Sequence, residues 1–239
     1  MKKALLVGVN KYQNPKYNKK LKHCVSDVRK MHNMLTATGF SDVRCLLNKS
    51  ATSANLSSVL TDMVNNSKGG DSLLFYFTGH GLQLKDISGD EKDGLDEALL
   101  TYDYNIRNAF TDDKLADCLD GLHKEVKFTL IADACHSGNM IDAIYGQKPV
   151  DTLKASYLPV KRYVSLSACI QSKIAYESRS GGILTRALVS AWKEKKPKNK
   201  TWKAVFPKIE NFVRKATNGR QSPILAVSQD SLRELKMFA

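Results

Sequence analysis

The chain has 239 residues, 42% of them hydrophobic and 26% charged, which suits one large α/β domain or two small ones that fold in water. Thirty-seven Lys and Arg against 24 Asp and Glu give a formal charge of +13, but no run approaches the roughly 18 apolar residues of a membrane span. Five dispersed cysteines (Cys24, Cys45, Cys118, Cys135, Cys169) lack CxxC spacing, which argues against a disulfide framework or a structural zinc site and for a reducing, cytoplasmic setting.

The opening Met-Lys-Lys-Ala-Leu-Leu-Val-Gly-Val-Asn superficially resembles a signal peptide. Its apolar stretch ends at Val9 and no small-residue cleavage site follows, so a first strand over 4–9 is predicted. Leu21, Val25, Val28, Met31 and Leu35 form a stripe of helical period within 20–38, which Gly39 stops. Further helices are predicted at 52–67, 112–122, 182–195 and 202–217. Short apolar runs predict strands at 43–47, 72–77, 128–132, 163–166 and 224–227. This alternation predicts an α/β sandwich, with a largely parallel sheet and helices on both faces. Two long excursions break the rhythm, an acid-rich one over 82–111 and another over 139–161. Loops of that length in a compact domain are usually functional or flexible.

Two of the predicted strands end in turns that carry chemistry. Residues 73–81 read Leu-Leu-Phe-Tyr-Phe-Thr-Gly-His-Gly, and 128–138 read Phe-Thr-Leu-Ile-Ala-Asp-Ala-Cys-His-Ser-Gly. The carboxyl ends of strands are where open α/β sheets place their ligands. A thiol at neutral pH is largely protonated, and a neighbouring imidazole can take its proton and later give one to a leaving amine. Cys135 is thus the candidate nucleophile and His80 its base, with the amides of Gly81 and Cys135 as oxyanion donors. His136 should point away from its neighbour, and His23, His32 and His123 lie in helix-like stretches. The other four cysteines read as core or surface filler. The lysines are spread over many segments with little aromatic interleaving, and the densest run, 193–200, reads as a solvated loop. Nucleic-acid binding is therefore the less favoured use of the charge.

Phe-Thr-Gly-His-Gly-Leu-Gln (77–83) and Asp-Ala-Cys-His-Ser-Gly (133–138) resemble the histidine and cysteine motifs of the caspase-like clan of cysteine peptidases, specifically metacaspases and their bacterial relatives. The 55 residues between His80 and Cys135 suit the His-before-Cys order of that clan. Leu21-Lys-His-Cys-Val-Ser-Asp27, Asp93–Asp103, Ser165-Leu-Ser-Ala-Cys169, Ala175-Tyr-Glu177 and Gly181-Gly-Ile-Leu-Thr185 extend the similarity. The resemblance implies a caspase–haemoglobinase fold with a mostly parallel six-stranded core sheet. It implies one peptidase domain over 1–239, with a large-subunit-like part (1–145), a linker (about 146–161) and a small-subunit-like part (162–239). It implies peptide hydrolysis through a thioester at Cys135 with His80 as acid and base, after Arg or Lys rather than Asp. A basic side chain needs carboxylates around it. Asp133 and Asp27 match the family's pocket, beside Cys24 and Thr78, where serine is commoner, with substrate backbone pairing near Ser167 and Ala168.

The resemblance also bears on the acidic excursion. Asp86, Asp90, Glu91, Asp93, Asp96 and Glu97 do not make an EF-hand, because placing Gly94 at the turn puts Gly89 and Leu100 where end ligands belong. Asp96, Asp112, Asp113 and Asp142 match the family's calcium ligands, which implies a calcium-stimulated enzyme. Lys148, Lys154, Lys161 and Arg162 are self-cleavage candidates. Implied partners are Arg- or Lys-bearing protein substrates and an upstream activating protease or regulatory partner. The alternatives are a noncatalytic caspase-like interaction module, a basic nucleic-acid-associated protein and a different cysteine hydrolase on the same scaffold.

Overall fold

The computed structural model describes residues 1–18, 21–85, 95–135, 162–169, 175–194 and 200–238. The six predicted apolar runs form one sheet: β1 (Lys2–Gly8), β2 (Asp42–Leu47), β3 (Ser72–Thr78) and, numbered after three short strands given below, β7 (Lys127–Asp133), β8 (Tyr163–Ser167) and β11 (Ile224–Val227). Their order is β11-β8-β7-β3-β1-β2. All neighbours run parallel except β11, which is antiparallel to β8. The mostly parallel six-stranded sheet expected from the sequence is therefore present.

Both faces of this sheet are covered, which is why its strands are continuously apolar rather than alternating. On one face Leu5, Val7, Phe75, Phe77 and Leu130 pack with α2 (Ser53–Asn65) and α3 (Asp112–Leu119) through Leu56, Leu60, Met63, Leu115 and Leu119. On the other, Leu6, Leu74, Tyr76, Ile131 and Leu166 meet α1 (Cys24–Thr36), α4 (Ile183–Lys193) and α5 (Trp202–Thr217) through Met31, Leu35, Leu184, Leu188, Ile209 and Val213. Residues after 162 thus complete the same sheet and core as residues before 135.

Helix starts divide into two kinds. Thr52, Thr111 and Thr201 cap α2, α3 and α5 locally, each side chain accepting an amide three residues on. α1 and α4 have no side-chain cap at their own boundary. Acids from distant segments serve them instead, which shortens α1 from the predicted start at 20 to Cys24.

The excursion expected as a loop over 82–111 holds strands. β4 (Gly81–Lys85), β5 (Leu95–Leu99) and β6 (Phe110–Thr111) make a small antiparallel sheet. The apolar alternation of Leu82 and Leu84 is too short to outweigh the acidic composition of the segment when read alone. A hairpin of β9 (Glu177–Ser178) and β10 (Gly181–Gly182) precedes α4.

Candidate active site

Strand register brings the two chemistry-bearing turns together. β3 and β7 are parallel neighbours with Thr78 opposite Asp133; His80 and Cys135 each follow two residues further on. A Cβ at Gly81 would stand 2.2 Å from the Cys135 carbonyl oxygen and 3.3 Å from the Ala134 Cβ. Only glycine lets these turns approach so closely.

The environment of His80 fixes its tautomer. Its backbone N–H donates to the Tyr12 hydroxyl at 2.8 Å, and its ring lies 5.4 Å from the Tyr12 ring. Ring Nε2 lies 3.1 Å from the Tyr17 carbonyl oxygen. A carbonyl only accepts, so Nε2 carries the proton and Nδ1 is the basic nitrogen of the neutral ring. Tyr12 is buried, and burial raises its phenol pKa far above the ordinary value, so it stays neutral beside the imidazole. The half-buried Cys135 has its Sγ 3.9 Å from the Ala175 carbonyl oxygen.

The oxyanion donor proposed at Gly81 has suitable backbone geometry. Gly81 faces Leu99 in β5, and Leu100 N–H donates to the His80 carbonyl at 2.9 Å. That bond makes Gly81 and Leu99 a pair of the non-hydrogen-bonded type, whose own N–H groups face away from the partner strand.

Beside the turns, two carboxylates converge on the Gly181–Gly182 hairpin end. Asp27, in the first turn of α1, accepts from Gly182 N–H and Lys30 Nζ, both at 2.7 Å. Asp133, at the end of β7, accepts from Thr185 N–H at 2.9 Å and Thr185 Oγ1 at 2.6 Å. Tyr76 Oη holds Thr185 Oγ1 in turn at 2.8 Å. Cβ atoms at Gly181 and Gly182 would lie 2.2 Å from Asp27 Oδ1 and Asp133 Oδ2 respectively, so both glycines are required by the carboxylates. Asp133 thereby caps α4 from across the sheet, where the positive end of the helix dipole favours a carboxylate. Burial pushes Asp133 up from 3.8 to about 6, against the lowering effect of its Thr185 bonds, with Asp27 and Glu177 raising it further. Burial also raises Asp27, opposed by Lys30 and Gly182. Cys24 is pushed up to about 12, chiefly by burial, although Thr78 bonds to it. It is therefore an inert thiol lining, not a second nucleophile.

Ser167 and Ala168 lie at the end of β8, but they offer no pairing edge. Ser167 is opposite Ile224 of β11. Ala168 N–H donates to the Ala132 carbonyl at 2.9 Å, and its own carbonyl accepts from Gln221 Nε2 at 3.0 Å. The expected substrate pairing at Ala168 is corrected accordingly: its main-chain groups are already used, because β8 is an interior strand.

Three contributors escaped sequence reasoning. Glu177 accepts from Lys22 N–H (3.0 Å to Oε2) and His23 N–H (2.7 Å to Oε1), capping α1, and its charge acts on Cys24, Asp27 and Asp133. Its signal was a lone acid just before a Gly-Gly pair. Lys30 ties Asp27 to the hairpin, since it also donates to the Ser180 carbonyl at 2.5 Å. Tyr12, which orients His80, carried no signal beyond following the first strand.

Of the residues matched to calcium, Asp96 lies on β5 and Asp112 and Asp113 open α3. The register Ala98 opposite Thr111 carries Asp96 toward position 113. Asp96 and Asp112 are buried, and an all-carboxylate set suits a hard cation. Among the described residues no three His, Cys, Asp or Glu side chains form a group able to hold a metal; Asp142 lies outside them. Lys148, Lys154 and Lys161 are also outside the described residues. Arg162 is a poor self-cleavage site. It stands at the amino end of β8, away from Cys135, and its carbonyl accepts from Phe128 N–H at 2.9 Å.

A family model described as "Metacaspase, peptidase C14 domain" matches residues 2–144. Metacaspase-6 of Arabidopsis thaliana is 37% identical over 150 residues, 59% of this chain and 39% of that protein. Metacaspase-1 of Plasmodium falciparum is 33% identical over 198 residues, 76% of this chain and 32% of that protein. The chain therefore spans well under half the length of these relatives. The crystal structure of protein GSU0716 from Geobacter sulfurreducens superposes with a TM-score of 0.76 over 99% of this chain and 98% of that one, at 21% identity, a likeness of fold. Among the described residues no helix is long and apolar enough to cross a membrane.

Proposed function

The chain belongs to the metacaspase family of caspase-like cysteine peptidases, and from that membership we propose that it hydrolyses peptide bonds on the carboxyl side of Arg or Lys. The observation that supports this reading is the shared register of β3 and β7, which ends in the turns of His80 and Cys135 beside the buried carboxylates of Asp27 and Asp133. Cys135 passes its proton to His80 Nδ1 and the thiolate attacks the substrate carbonyl carbon. The amides of Gly81 and Cys135 receive the developing oxyanion. His80 then protonates the leaving amine, and water releases the acyl group from the thioester.

The arginine or lysine side chain enters beside Asp133, with Asp27 and Glu177 adding negative charge and Cys24 and Thr78 forming the wall. Asp27 is already shared with Lys30 and Gly182, so Asp133 is the principal contact. Calcium would be held by Asp96, Asp112 and Asp113 with Asp142, and its chemistry there is to neutralise carboxylates and order the neighbouring loops. Self-processing would use lysines within 146–161, by this enzyme or by an upstream activating protease. A cytoplasmic location accords with the dispersed cysteines.

A fluorogenic peptide panel, with and without calcium, tests this. Arg and Lys peptides should be cut, Asp peptides not, and Cys135→Ala should be silent. Faster cutting after Asp refutes the pocket. Failure of an arginyl chloromethylketone to label Cys135 would favour the noncatalytic reading. Activity and melting temperature that both ignore calcium would remove the cation.

A further inference from the structure

A cleft lies at the ends of β1 and β2, with Tyr12 in its wall. Its volume is about 540 Å³, and its lining includes Lys11, Lys22 and Lys49 but no acidic residue. Among the described residues none of these three ammonium groups is in an ion pair. The walls are built rather than incidental. Asn48 Oδ1 accepts from Asn10 and Lys11 N–H, both at 3.1 Å, joining the ends of β1 and β2. Asn18 Oδ1 accepts from Tyr12 N–H at 2.6 Å, and Asn10 Oδ1 accepts from Val25 N–H at 3.0 Å. Tyr12, whose ring and hydroxyl hold His80, is shared between the cleft and the candidate active site.

Strand order says what part of a substrate would reach this cleft. The sequence β8-β7-β3-β1-β2 puts the thiol at the end of β7, the imidazole at the end of β3, and the cleft at the ends of β1 and β2. The imidazole must face the leaving nitrogen to protonate it. The chain that follows the scissile bond therefore departs on the His80 side, toward β1 and β2. Resting on the peptidase reading above, we propose that this cleft is the subsite for residues after the scissile bond and that it selects acidic side chains there. Three ammonium groups around one concavity favour carboxylates and repel lysine or arginine. The enzyme then reads a charge reversal in its substrate: a cation before the cut and anions after it.

Internally quenched peptides sharing one sequence up to Arg, followed by three Asp, three Ala or three Lys residues, test this directly. Wild-type protein should show kcat/KM in the order Asp, Ala, Lys, with about a tenfold spread at low ionic strength that narrows as salt is raised. The Lys11→Gln, Lys22→Gln, Lys49→Gln triple variant should bring the Asp-to-Lys ratio close to one, while Lys→Arg at the same positions keeps it. A wild-type ratio near one, or a ratio the Gln variant leaves intact, overturns the subsite. Failure to cut any of the Arg peptides overturns the peptidase reading on which it rests. The two failures are therefore distinguishable.

Discussion

Replacing Asp133 with Asn should stabilise the protein at neutral pH while weakening the proposed contact with a basic substrate side chain. Burial is the main cause of the rise of the Asp133 carboxyl from 3.8 to about 6 in the folded chain. A carboxyl raised in this way binds its proton more tightly folded than unfolded. Protonation thus supports folding fully below about pH 4, and that support is lost as pH climbs through about 6. At 1.36 kcal/mol for each tenfold change in proton affinity, the ionised group costs about 3 kcal/mol at pH 7. Asn carries no charge and keeps an oxygen for the N–H and O–H of Thr185. The expected gain at pH 7 is about 2–3 kcal/mol, or roughly 4–12 °C in melting temperature for a chain of this size. Urea unfolding followed by circular dichroism, in a Cys135→Ala background from pH 4 to pH 8, measures it. The advantage of Asn should vanish toward pH 4. A variant no more stable than its parent at pH 7, or an advantage flat across the range, would refute the reasoning. With Cys135 intact, kcat/KM for Arg peptides should fall by about tenfold or more, the loss of a charged contact.

Three further substitutions probe the frame around the reacting groups. Gly81→Ala drives a methyl group to within 2.2 Å of the Cys135 carbonyl oxygen; kcat should collapse and melting temperature drop, and near-parental kinetics would disprove the close approach of the turns. Tyr12→Phe removes the acceptor of the His80 N–H. It should lower kcat about tenfold with little change in KM, whereas an effect on KM alone would assign Tyr12 to substrate binding. Glu177→Gln keeps an acceptor for Lys22 and His23 but removes a charge felt by Asp133. KM for Arg peptides should rise about threefold, and an unchanged KM with a lower melting temperature would reduce Glu177 to a helix cap.

The parts legible from the sequence were those written in local pattern. Buried parallel strands announce themselves as short apolar runs, and the strands over 72–78 and 127–133 differ from their expected bounds by only one residue at an end. The turns after them were readable because His80 and Cys135 sit among small residues where a strand stops. What the sequence hid depends on contacts between distant segments. The start of α1 is set by Glu177, more than 150 residues away, and that of α4 by Asp133. Lys30 reads as an exposed helix residue until the hairpin carrying Ser180 is folded against it. The strands β4 and β5 lay inside an acidic stretch whose composition spoke for a loop. Asp27 illustrates the boundary: the resemblance singles it out by position, but that both its oxygens are already engaged could come only from coordinates.

In sequence, the expected linker over 146–161 falls between β7 and β8, two strands paired from Phe128 opposite Tyr163 to Ala132 opposite Ser167 in the middle of the sheet. A nick there would leave the strand pairing and the shared core untouched, and the halves would stay locked as one body. Scission would show as two bands on a denaturing gel and as nothing on a sizing column. Whatever such a break does to turnover, it must do so without releasing either fragment.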